Sequence, residues 1–196
     1  LSFLSAACLV LFASAASAQD AGPTPEQQQK YMELATPGPH HKMLAASAGT
    51  WDTKTKEYMQ PGAPPTESTG TSKIESVMGG RFIEEVTTGT MMGMPWEGRG
   101  VFGYDNATQK HIGTWYDSWG TTQMAFQGTC SNSCKNVTMT STYFDTVMKM
   151  EKKMKVVSKQ TDNDHSTVEI FEVAKDGKEN RLLEIQYTRS KTQATR

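Results

Sequence analysis

The chain has little that advertises a function outright. Net charge is -1 with acids and bases interspersed, so there is no basic stripe to track a nucleic acid and no acidic tail. Beyond the first 18 residues no apolar run approaches the length that crosses a bilayer as a helix. Cysteine is scarce: there are three, Cys8, Cys130 and Cys134. Nor does any stretch pair a nucleophile with its base, or set two carboxylates in a recognisable acid–base arrangement. Catalysis therefore rests on no motif, and no catalytic residue is assigned.

What is present begins with an export signal. Residues 4–16 are apolar and uncharged, too short for a membrane span, and Ala16-Ser17-Ala18 ahead of Gln19 has the small-x-small pattern of a signal peptidase site. Residues 1–18 read as a signal peptide cleaved near Ala18, which places the mature chain in the periplasm or outside the cell. Cys8 lies inside the apolar run and does not fit a lipid attachment site. In an oxidising compartment Cys130 and Cys134, separated by a Ser-Asn-Ser loop, are expected to pair as a hairpin staple.

The mature chain is one domain in size. Residues 19–48 form a helical segment: Thr24 precedes Pro25 and a helix-forming run that stops before Pro37-Gly38-Pro39, and a second short helix covers 40–48. From Gly49 the pattern changes to Thr, Val, Tyr and Phe, with turn residues about every ten positions and no helical stripe. Ten strands are expected at 50–59, 66–78, 81–91, 96–104, 111–117, 121–130, 134–143, 149–159, 166–174 and 179–189. Gly79-Gly80, Asp105-Asn106, Asp162-Asn163 and Asp176-Gly177 are among the separators. Short connections throughout make an antiparallel meander, and one this long hides its edges best by closing into an up-and-down barrel over 49–190, leaving a disordered tail at 191–196.

Alternation along 81–88 puts Phe82, Glu84, Val86 and Thr88 on one face and Arg81, Ile83, Glu85 and Thr87 on the other. Neither is dry, which favours a lumen holding solvent or ligand. Which face points inward is open at this point. Glu84, Glu85, Glu97, Asp117 and Tyr116 are polar candidates for the interior.

Several stretches resemble the bacterial family DUF1579, a domain of unknown function grouped with the calycins. They are Ala48-Gly49-Thr50-Trp51, Met78-Gly79-Gly80-Arg81-Phe82, and the run from Met91-Met92-Gly93-Met94-Pro95-Trp96-Glu97-Gly98 through Gly103-Tyr104-Asp105 to Gly113-Thr114-Trp115-Tyr116-Asp117-Ser118. The resemblance implies a lipocalin-like barrel that binds a ligand, and gives no catalytic residue. Gly49-Thr50-Trp51 is also similar to the lipocalin Gly-x-Trp, in which an indole closes the barrel floor beneath a last-strand arginine. Arg189 or Arg181 is the candidate partner for Trp51, and cation–π stacking of such a pair contributes about 0.5–2 kcal/mol.

Three functional readings follow. The first is carriage of a small, partly apolar molecule, with contacts from Trp96, Trp115, Tyr116, Met94, Phe82 and Tyr104. The second is soft-metal or heme binding: twelve methionines include the cluster Met91, Met92 and Met94, whose thioethers suit Cu(I), and His165 or His111 is a candidate heme ligand. The competing account of the cluster is lid packing by an adaptable side chain. His40 and His41, adjacent on a helix and about 100° apart, read as solvent-facing residues that do not share an ion. The third is an enzyme acting on a substrate held in the lumen. The cofactor, if any, is unassigned, as is the oligomeric state.

Overall fold

A computed structural model describes residues 22–59, 62–131 and 133–191. The signal segment, Cys8 and most of the 191–196 tail lie outside the described residues. The chain divides into two compact units, 1–33 and 34–196.

The described part of the first unit is most of helix α1 (Pro25–Ala35). It starts in a capping box: the Gln27 amide donates to Thr24 Oγ1 at 3.3 Å, and the Thr24 amide donates to Gln27 Oε1 at 2.8 Å. None of its residues is buried.

The second unit holds α2 (Pro39–Ala46) and ten strands: β1 (Gly49–Glu57), β2 (Thr66–Val77), β3 (Phe82–Met91), β4 (Met94–Asp105), β5 (Lys110–Asp117), β6 (Met124–Ser131), β7 (Asn136–Asp145), β8 (Met150–Gln160), β9 (His165–Val173) and β10 (Glu179–Arg189). All neighbours are antiparallel, and β1 pairs with both β2 and β10, so the sheet closes into a barrel in the order β1-β10-β9-β8-β7-β6-β5-β4-β3-β2. The sequence-based strands correspond one to one with these. The largest boundary difference is at β6, which starts at Met124 because Asp117 Oδ1 accepts the Trp119 amide and begins a loop.

Closure gives the barrel two unlike ends. At one, the floor, lie α2, the start of β1, and the turns β2–β3, β4–β5, β6–β7 and β8–β9. At the other, the mouth, lie the Met91–Met94 hairpin, the loop after β5, and the turns β7–β8 and β9–β10. Leu44 of α2 packs on a core of Trp51, Ile74, Ile83 and Tyr187, so the helix plugs the floor from inside. Strand alternation assigns the faces: Ile83 and Thr87 are buried inside, while Glu84 and Thr88 face out. Among the described residues no helix is long and apolar enough to cross a membrane.

Candidate functional site

The lumen contains a cavity of about 420 Å³, within the range of about 300–1,000 Å³ typical of small-molecule sites. Trp96, Phe102 and Trp115 furnish its aromatic wall, and Ile83, Val156 and Val168 are among its aliphatic contacts. The two indoles stack with centroids 6.1 Å apart and planes at 24°, and Phe102 lies 6.5 Å from Trp115. Three inward glycines leave room for these rings. A Cβ at Gly98 would strike Trp115 and Trp96, one at Gly100 would lie 2.6 Å from Phe102, and one at Gly113 would strike Phe102.

Into this apolar space projects the carboxyl of Glu85. Its Oε1 accepts three hydroxyls, from Ser72 at 2.7 Å, Thr87 at 3.2 Å and Tyr187 at 3.2 Å. Burial raises its pKa above the usual carboxylate value, and the three hydrogen bonds offset only part of that rise. Tyr187 is pushed well above its ordinary value, by burial first and then by the charge of Glu85. Toward the mouth Glu57 is almost fully buried and accepts the Ser68 hydroxyl at 3.1 Å. On the opposite wall Lys152 bridges Glu172 at 2.7 Å and Asp145 at 3.1 Å.

The floor is sealed by Trp51 and Arg189. The guanidinium sits 4.2 Å from the indole centroid, donates to the carbonyls of Ala48 at 2.8 Å and Asn163 at 3.0 Å, and pairs with Asp164 at 3.1 Å. The indole donates to the Ser47 carbonyl at 2.9 Å. Arg181, the other candidate partner, stands elsewhere, paired with Glu169 at 2.7 Å and Glu184 at 3.1 Å.

A second group gathers at the floor beneath the start of α2. The Gly38 amide donates to His41 Nδ1 at 3.0 Å, closing the capping geometry that orients the helix. His40 stacks flat on Tyr104, centroids 3.9 Å apart, with its Nδ1 3.3 Å from Cys134 Sγ and 3.8 Å from Cys130 Sγ. These cysteines form a disulfide. His111 reaches the same place from β5, and its Nε2 is buried with no hydrogen-bond partner among the described residues. Burial, then the neighbouring His40 and His41, lowers its pKa to about 4.

The expected contact residues thus divide. Trp96 and Trp115 line the cavity, whereas Tyr104 faces the floor histidines. Tyr116, 47% exposed, follows inward Trp115 and so points out. Phe82 is likewise on the outer side of β3, against Gly103. Met94 and Met92 are more than half exposed and only Met91 touches the cavity, so the cluster does not converge. His165 is the exposed first residue of β9, bound to Asp162 at 2.9 Å at the floor end, remote from the methionines at the mouth. The solvent-facing reading of His40 and His41 is overturned: His41 is buried and His40 half-buried, because α2 turns its first residues into the floor. The lumen role of Phe102 was missed. Its inward position follows from its i, i+2 spacing with Gly98 and Gly100 once the face is known.

Fold and cavity define a class: a closed, ten-stranded up-and-down β-barrel with a plugged floor and a hollow interior. Residues 36–189 match the family described as "Protein of unknown function (DUF1579)", and the chain belongs to that family. No curated protein matches it. Among solved structures it is similar to Rv2717c from M. tuberculosis, at 13% identity and TM-score 0.55, covering 80% of this chain and 100% of that one. A de novo designed fluorescence-activating β-barrel matches at 16% identity and TM-score 0.41, covering 73% of this chain and 93% of the design.

Proposed function

We propose that this is an exported carrier that holds a small, largely apolar molecule in its lumen, with one hydrogen-bonding group of the ligand set against Glu85. The observation that carries the reading is the cavity itself: an aromatic wall of Trp96, Phe102 and Trp115 facing space, with a buried carboxyl whose Oε1 is already engaged by three hydroxyls. An apolar wall supplies affinity by removing ligand surface from water, at about 25 cal/mol per Å². One buried polar group then imposes orientation, because a ligand that covers the second carboxyl oxygen of Glu85 without pairing it forfeits about 1–3 kcal/mol. Export rests on the first 18 residues of the sequence and on the pairing of Cys130 with Cys134.

Native mass spectrometry of the protein purified from its own source tests both parts. The expected result is a chain lacking residues 1–18 with a retained small-molecule mass, and a Val156→Trp variant, which fills the lumen, that loses that mass while keeping the wild-type far-UV circular dichroism and a cooperative urea transition. A full-length mass would overturn export. Protein that carries nothing and gives no calorimetric signal with 1-naphthol, a neutral aromatic alcohol of suitable size, would overturn carriage.

A further inference from the structure

The group under α2 brings together two imidazoles and two sulfurs. One ligand atom each from His40, His111, Cys130 and Cys134 lie within 4.8 Å of one another, and all four residues are at least half-buried. A tetrahedral Zn²⁺ with Zn–S near 2.3 Å and Zn–N near 2.05 Å has an N···S edge of about 3.6 Å. His40 Nδ1 lies 3.3 and 3.8 Å from the two sulfurs. The His40 ring is fixed by its stack on Tyr104, and His111 brings a buried Nε2 that nothing among the described residues satisfies. A buried imidazole nitrogen without a partner costs stability in a purely structural role, and a metal would remove that cost.

We propose that His40, His111, Cys130 and Cys134 form a Zn²⁺ site that becomes available when the Cys130–Cys134 disulfide is reduced. A dithiol reductant gives two electrons and two protons to the S–S bond; that bond breaks, two thiols form, and the reductant closes its own disulfide. Zn²⁺ then displaces both thiol protons to water. Two thiolates and two neutral imidazoles around a divalent ion make a centre of zero net charge, which suits a site so little exposed to water. The S₂N₂ donor set is the one tetrahedral Zn²⁺ takes, and the Cys-x₃-Cys spacing falls within that of structural zinc sites. The site is separate from the Met91–Met94 hairpin and stands whether or not the lumen carries a ligand.

The test is a titration of the full chain with Zn²⁺ under argon, before and after reduction by a phosphine, which leaves as its oxide. Metal content is read by mass spectrometry, geometry by the visible absorption of the Co²⁺-substituted protein, and folding by near-UV circular dichroism. One Zn²⁺ per reduced chain, none per oxidised chain, and a tetrahedral Co²⁺ spectrum with thiolate charge transfer are expected. His111→Gln should weaken binding at least ~10-fold and Cys134→Ser at least ~100-fold. A reduced chain that needs Zn²⁺ to fold would also support the site. The proposal fails if the reduced chain, folded or not, takes up no Zn²⁺, or if binding survives unchanged in a His40→Ala, His111→Gln double variant.

Discussion

The two ends of this barrel are built on opposite plans. At the floor, side chains from α2, β1, β4, β5 and β10 are locked to one another: Trp51 under Arg189, His40 on Tyr104, Leu44 in the core. At the mouth the apolar residues of the hairpin stand in solvent, with Met92 at 51% and Met94 at 54% exposure, and the charges of Lys152, Asp145 and Glu172 form the rim. The floor is thus the end tied together by side-chain contacts, and the hairpin at the mouth is the end left exposed.

That contrast breaks most sharply at Trp51. Replacing it with alanine empties the floor and unseats the Arg189 guanidinium, and should cost about 3–5 kcal/mol in urea unfolding. A loss no larger than that of a mouth variant would mean the plug holds nothing together.

Glu85, between the two ends, gives a pH signature instead. Its pKa is raised in the folded state, so from the ordinary carboxylate value of 4.5 up to that raised value the native protein binds a proton the unfolded chain does not. Stability therefore falls as pH rises through that window and stays lower above it. Glu85→Gln should abolish that decline and be the more stable protein at neutral pH. Urea midpoints across the acid-to-neutral range check this, and a variant that keeps the wild-type slope would assign the decline to another group.

The smallest effect belongs to the hairpin. Met92→Ala and Met94→Ala should each shift stability by no more than about 0.5 kcal/mol. A loss several times larger would show that the hairpin is folded onto the mouth in solution and would erase the distinction between the two ends.

Period-two alternation and turn chemistry made all ten strands legible, since both are local properties of a few consecutive residues. The pairing of β1 with β10 followed from the need to hide edges. Arg189 could not be told from Arg181 until register placed it opposite Trp51. The inward face of β3 was illegible because both faces carry glutamate, and only closure shows that Glu85 meets Ser72 and Tyr187. The floor histidines escaped for a different reason: His40 lies 94 positions before Cys134, and their meeting depends on a helix cap that tucks α2 into the floor. The Pro-Gly-Pro-His-His run and the Cys-x₃-Cys spacing were the visible traces, and neither names the other.

The glycines beneath the aromatic wall have a consequence for how such a barrel can diversify. Gly98, Gly100 and Gly113 act as blank tiles against which flat rings lie, so the width of the chamber is set by atoms that are missing. One added methyl at Gly98 would lever both indoles toward the axis, while shortening Phe102 would open the chamber without touching a backbone hydrogen bond. The room can therefore be resized by single carbons on one wall while the hydrogen-bond ladder that fixes the barrel stays constant.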